Sequence, residues 1–122
     1  QKMVNRTMVD SIARAFAGAD GLRLILMHSP DGLTALGGAS FAMAFTGHVH
    51  GGQFVLPGGR SLIGVKGPLS QRYLDGGLFE LGAQGERILL VSRGIGQGSL
   101  PMRFRADPEV HACDLAFDSV RD

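Results

Sequence analysis

The stretch Gly47-His48-Val49-His50-Gly51-Gly52-Gln53 places two imidazoles one residue apart within a fence of glycines. Imidazole is the commonest protein ligand for a divalent metal, and glycine lets the backbone come close, so the chemistry implied is metal binding. Upstream, His28 ends an apolar run and is followed by Ser29-Pro30-Asp31. On an extended backbone a His-x-His pair would set both rings on one face, about 6 to 7 Å apart. One metal, or two neighbouring ones, would be within reach. His111 has no partner nearby in sequence and reads as a surface or satisfied core histidine.

These side chains need elements to hold them. Val4, Met8, Val9, Ile12, Ala13 and Phe16 recur at helical spacing, which predicts an amphipathic helix over residues 5 to 17, stopped by Gly18-Ala19-Asp20-Gly21. Leu22 to Met27 is apolar except for Arg23 and too short for a helix between Gly21 and Pro30, so it reads as a buried strand delivering His28 at its carboxyl end. Ala42 to Thr46 repeats the arrangement into Gly47-His48. If the two strands are adjacent, their histidines meet where open α/β sheets hold ligands, outside the carboxyl ends of the strands. Between them, Leu33 to Ala44, broken by Gly37-Gly38, suits a short helix or turn. Leu56 to Arg72 is rich in turn residues and reads as a long irregular loop. Gly76 to Leu81 and Arg87 to Ser92 predict a hairpin. Cys113, Leu115 and Phe117 alternate with Asp114, Ala116 and Asp118, the pattern of a half-buried edge strand.

Composition bounds the answer without choosing it. The 122 residues suffice for one domain burying roughly two-thirds of its unfolded surface. Twelve basic residues against eleven acidic ones, without blocks, give no electrostatic case for nucleic acid or an anionic membrane surface, so a small-molecule partner is expected. The single cysteine, Cys113, excludes an internal disulfide, makes a reducing compartment the default and reads as a small buried apolar residue. No apolar run approaches the roughly 20 residues that span a bilayer, and no secretory signal is visible; the chain reads as soluble. Its 19 glycines cluster at element ends rather than in a repeat. Because the chain opens inside a helical pattern, it is expected to be a piece of something longer.

Four further groups stand out. Ser92-Arg93-Gly94-Ile95-Gly96-Gln97-Gly98 follows a strand but matches neither a dinucleotide fingerprint nor a P-loop, so it reads as a turn near the site. Arg93 could face a substrate phosphate through its fork of donors, or form a structural salt bridge. Asp31 is expected to cap the helix that follows it. Gln53 should tether its loop, and Phe79, Phe104 and Phe117 should be core.

In order, His28-Ser29-Pro30-Asp31, Gly47-His48-Val49-His50-Gly51-Gly52-Gln53, Tyr73-Leu74-Asp75-Gly76-Gly77-Leu78-Phe79, Val91-Ser92-Arg93-Gly94-Ile95-Gly96 and Leu100-Pro101-Met102-Arg103-Phe104 cover nearly the whole chain. Together they resemble the carboxyl-terminal half of a calcineurin-like metallophosphoesterase, in the bacterial branch acting on membrane or envelope phosphoesters. The resemblance implies an α/β fold: part of a four-layer α/β/β/α sandwich with mixed sheets, its amino-terminal half missing. It implies two divalent ions (Mn, Fe or Zn) between the sheets, His28 and His48 binding one and His50 the other. The ions share a hydroxide and grip the phosphate oxygens for in-line attack on a phosphomonoester or phosphodiester, a small molecule or a lipid-linked substrate. A cytoplasmic or membrane-associated location would follow.

The departures are as informative. The Asp-x-His pair, the Gly-Asp-x-x-Asp motif and the Gly-Asn-His-Asp/Glu motif of the family's amino-terminal half do not occur here, and Ala42 stands where an Asp often precedes the Gly-His motif. Without a carboxylate to bridge two ions, this chain is expected to hold at most one metal weakly and to be inactive alone. Two alternatives are a non-catalytic remnant, with one apolar sheet face uncovered, and a small cupin-like metal-binding barrel. Such barrels add a Glu shortly after His-x-His, where this chain has Gln53.

Overall fold

A computed structural model describes residues 6–18, 20–36 and 39–116. Helix α1 (Arg6–Phe16) is followed by strand β1 (Leu24–Leu26), a 3-10 turn (Pro30–Ala35) and strand β2 (Met43–Thr46). A second 3-10 turn (His50–Gly52) leads through a loop to helix α2 (Pro68–Arg72), strand β3 (Gly77–Leu81) and strand β4 (Arg87–Val91). The four strands form one mixed sheet in the order β1-β2-β4-β3. β1, β2 and β4 run parallel, and β3 closes the edge antiparallel to β4. Sheet and helices together make a mixed α/β fold, and the expected hairpin is the β3–β4 pair.

The register explains the core. Ile25, Ala44, Leu89 and Phe79 lie opposite one another across the four strands and so share a face. On that face Ile25, Ala44, Leu89 and Val91 cluster with Leu36, Phe41, Val49, Tyr73 and Leu74. Ile12 and Phe16 of α1 and Leu69 of α2 pack against the cluster. Full burial of one such Leu is worth about 1.5–3 kcal/mol, so these contacts fix where the strands end and what their loops present.

α2 and the 3-10 turn are joined by one carboxylate. Asp31 accepts from the backbone N–H groups of Leu69 (2.9 Å) and Ser70 (3.0 Å) and from the Ser70 hydroxyl. The expectation that Asp31 caps the element following it is therefore corrected. Residues 30–35 form a 3-10 turn, and the carboxylate caps the start of α2, 38 residues on. Pro68 opens α2, where its missing N–H is harmless. Gly67 precedes it with φ +114°, and a Cβ there would collide with the Asp31 carboxylate.

Three other expectations are corrected. Residues 111–116 form no strand, and all six are exposed; alternation marks an apolar stripe but supplies no hydrogen-bonding neighbour for a ladder. Cys113 is exposed rather than buried. Phe104 is 50% exposed and stacks on Phe54 with ring centroids 5.8 Å apart, while Phe79 packs against the core as expected. Val4, Gly37, Gly38, Phe117 and Asp118 lie outside the described residues. Among the described residues, no helix is long and apolar enough to cross a membrane.

Candidate functional site

The parallel pairing of β1 with β2 places the residues just beyond their carboxyl ends side by side. Met27 donates to the Phe45 carbonyl (2.9 Å) and Gly47 to the His28 carbonyl (3.2 Å), so the pairing continues past both strands. As a result the rings of His28 and His48 meet, with Nε2 of His28 3.0 Å from Nδ1 of His48 and centroids 4.7 Å apart. His28 is exposed and His48 half-buried.

His48-Val49-His50 is not extended, which corrects the expected alternation. His48 has φ 73° and His50 φ 50°, and Gly51, Gly52 and Gln53 follow at 61°, 73° and 53°. Left-handed backbone is uncommon for side chains other than glycine, costs of order 1–3 kcal/mol per residue, and persists only where the surroundings over-determine it. Val49 anchors the turn in the core. A Cβ on Gly51 would lie 2.6 Å from the Arg93 Cδ, and one on Gly52 2.6 Å from the Ser61 Oγ, so both glycines serve close approach as well as conformation. Gln53, buried, ties the turn down as expected. Its amide nitrogen donates to the carbonyls of Leu100 (2.6 Å) and Met102 (2.9 Å), and its amide oxygen accepts from Gly98 N–H (2.9 Å).

The His50 ring lies against Gly96: a Cβ there would be 3.7 Å from its Cε1. Burial, then the charges of Arg103 and His48, hold the His50 imidazole below the ordinary histidine range, while a hydrogen bond to the Gly96 backbone works the other way. Asp31 also titrates below its usual range. Burial opposes its charge, but the Ser70 hydroxyl and the backbone N–H groups of Leu69 and Ser70 together outweigh that, with help from the nearby His48.

Arg93 forms the salt bridge that the sequence left open beside a phosphate role. Its Nε (3.0 Å) and Nη2 (2.7 Å) reach Glu109 Oε2, and its backbone N–H reaches Oε1 (2.8 Å). The edge of the guanidinium that would grip a phosphate is thus engaged by a carboxylate. His111 Nε2 lies 3.0 Å from Glu109 Oε1, so this histidine has a partner two residues away. Arg93, first, holds the Glu109 carboxyl down to about 2.

Sequence reasoning did not single out Arg103 as a functional residue. Its guanidinium donates to the carbonyls of Ala106 (2.6 Å), Arg93 (3.1 Å), Gly94 (3.0 Å), Gly96 (2.6 Å), His50 (3.2 Å) and Asp107 (3.2 Å). The available signal was an arginine in a loop whose neighbours offer mainly backbone acceptors.

A bound cation would have to use what is present. Two nitrogens sharing one tetrahedral zinc at about 2.0–2.1 Å lie about 3.3 Å apart, so the His28–His48 separation of 3.0 Å suits a pair of ligands to one ion. Without a cation the same contact is a hydrogen bond between complementary tautomers. Among the described residues, no group of three or more His, Cys, Asp or Glu side chains is gathered to hold a metal ion. His28 and His48 fit as a pair, and His50 stands apart beside Gly96.

The architecture is thus a mixed α/β sheet with an imidazole pair outside the carboxyl ends of two parallel strands. Comparison with known proteins gives this class a direction. The chain is similar to the uncharacterized metallophosphoesterase YkuE of Bacillus subtilis (strain 168), 32% identical over 87 residues. The match covers 71% of this chain and 28% of the relative's length. It suggests the metallophosphoesterase superfamily. No family model matches, and no solved structure matches.

Proposed function

We propose that the chain is the carboxyl-terminal portion of a metallophosphoesterase domain that hydrolyses a phosphomonoester or phosphodiester. The observation that carries this reading is the meeting of His28 and His48 at the ends of β1 and β2. In this reading His28 and His48 hold one divalent ion, His50 faces a second, and the amino-terminal half of a four-layer sandwich supplies the bridging carboxylates. Bound divalent ions supply Lewis-acid activation of water and neutralise charge on the phosphoryl group. The chain's own part is to set the two imidazoles side by side beyond the carboxyl ends of two parallel strands. Arg93 holds Glu109 rather than substrate.

The parallel order of β1, β2 and β4 and the presence of α1 favour this reading over a cupin-like barrel. The substrate is proposed to be a phosphoester small molecule or a lipid-linked phosphoester, and the metals Mn, Fe or Zn. The isolated 122-residue chain is proposed to hold at most one ion weakly and to be inactive.

The test is hydrolysis of p-nitrophenyl phosphate and bis-p-nitrophenyl phosphate by the full-length protein with Mn, Fe or Zn. His48→Ala and His50→Ala are each expected to lower kcat/KM at least about 100-fold, the scale of a lost ligand or its support. Unchanged hydrolysis in both variants would overturn the reading, and an inert full-length protein would favour the non-catalytic remnant.

A further inference from the structure

We propose that the loops after β2 and β4 form a docking surface for an anionic phospholipid bilayer, their exposed apolar side chains entering the interface and Arg60 and Arg105 meeting the headgroups. The inference stands apart from the metal reading, because lipid contact is measured without metal or hydrolysis.

Both loops leave the carboxyl ends of parallel strands, at the end of the sheet that holds His28 and His48. They are joined edge to edge. Phe104 N–H donates to the Gln53 carbonyl (2.8 Å) and Val55 N–H to the Phe104 carbonyl (2.9 Å), a parallel bridge between Phe54 and Phe104. Val55 in turn bridges Ser61 antiparallel, with Leu62 N–H donating to the Phe54 carbonyl (2.8 Å) and Leu56 N–H to the Arg60 carbonyl (2.9 Å). This register sets Leu62, Phe54 and Phe104 in one row across three chain segments, and residues opposite one another share a face. The Phe54 and Phe104 rings stack accordingly. At the tip, nothing would lie within 4 Å of a Cβ on Gly58 or Gly59, so the turn from Leu56 to Arg60 projects into open space.

The row is wet. Leu62 is 60% exposed and Phe104 50%, and Met102, two residues before Phe104, is 52% exposed. Apolar side chains held in water by a well-bonded backbone mark an interaction surface. Charge says of what kind. No acidic residue occurs between Asp31 and Asp75, or between Glu86 and Asp107, so the charged side chains of these loops are basic. Arg60 sits opposite Leu56 beside the tip, Arg105 follows Phe104, and both are exposed. The balance of twelve basic against eleven acidic residues over the whole chain conceals this division, so the expectation against an anionic membrane surface does not extend to this end of the sheet. An apolar ridge flanked by arginines matches a bilayer with anionic headgroups: the apolar side chains settle at the boundary of headgroups and acyl chains, and the surface potential attracts the basic ones. A nucleic acid would find no open ring on this row, because Phe54 and Phe104 stack on each other.

The experiment uses the full-length protein and vesicles of phosphatidylcholine alone or mixed with phosphatidylglycerol. This chain has no tryptophan, so Leu62→Trp places a reporter on the ridge that brominated acyl chains quench once it enters the bilayer. Quenching above the wild-type background is expected on mixed vesicles at about 0.1 M salt, and it should fall at about 1 M, where the screening length drops from about 10 to about 3 Å. That dependence needs no further variant to fold. Adding Arg60→Gln and Arg105→Gln should weaken partition roughly 25-fold, about fivefold for each basic residue near the surface. A reporter that is never quenched would overturn the proposal. So would quenching equal on neutral and mixed vesicles, or untouched by the two arginine changes. A protein that ignores both vesicles and binds poly(U) instead would overturn it in favour of a nucleic acid on this face. None of these outcomes bears on hydrolysis by His48→Ala, so failure here and failure of the phosphoesterase reading are told apart.

Discussion

The two faces of the sheet are built from the same strands and end in opposite surroundings. Ile25, Ala44, Leu89 and Phe79 face the core, and Leu89 is 0% exposed. The next row, Leu26, Phe45, Leu90 and Leu78, points the other way, with Leu26 80% and Leu78 65% exposed. Both rows are fully apolar, which is how strands of a sheet covered on both sides read. Among the described residues the second is open at its two edges, Leu26 and Leu78, while Leu90 at its centre is 6% exposed. The difference teaches that Leu26 and Leu78 carry more apolar surface than packing among the described residues uses, and an apolar second face is what the four-layer proposal requires.

Each face also has a polar fastening. On the covered side, Asp31 joins the 3-10 turn to α2. Bordering the partly open side, Glu109 holds the segment through Val110 and His111 to Arg93, beside a groove that includes Leu26, Phe45 and Leu90.

The largest contrast should appear on truncating one residue from each face. Leu89→Ala is expected to lower unfolding free energy by about 2–5 kcal/mol, the range for emptied core positions. Leu26→Ala in this chain should change it by less than about 0.5 kcal/mol. Urea denaturation measures both, and equal losses would break the comparison by showing that Leu26 is covered.

The fastenings sharpen it further. Asp31→Asn leaves Leu69 N–H, Ser70 N–H and the Ser70 hydroxyl competing for a single oxygen, so a loss of about 1–3 kcal/mol is expected in the same measurement. The smallest effect belongs to Glu109→Gln, about 1 kcal/mol near neutral pH, because Arg93 is one-third exposed and water screens the pair. Its signature is the pH dependence. The folded carboxyl sits at about 2 against an ordinary 4.5, so the unfolded chain binds more protons between those values. The stabilisation is complete above about pH 4.5 and is lost as pH falls toward about 2. Glu109→Gln should flatten that part of the stability curve, and an unaltered slope would show that the ion pair is not maintained in solution.

Much of this architecture was legible from local pattern. The runs ending at Thr46, Leu81 and near Val91 became strands within a residue or two of expectation, because apolar runs between glycines leave few alternatives. The meeting of His28 and His48 followed from placing each at the end of such a run. What was hidden is long-range. The turn at His48 and His50 is held in part by Arg103, and the carboxylate of Asp31 acts on α2; those partners are 53 and 38 residues apart. Spacing carries no record of a carbonyl hub. The expected strand at Cys113 failed for a related reason: alternation cannot state whether a neighbouring edge is within reach.

Gln53 carries a consequence at the level of single atoms. Its amide nitrogen faces two carbonyl oxygens while its amide oxygen faces an N–H. Glutamate has nearly the same outline, yet it would confront Leu100 and Met102 with an acceptor where both need a donor. A change invisible to shape would push the strap from Gly98 to Met102 outward, so this position discriminates nitrogen from oxygen more strictly than it discriminates size.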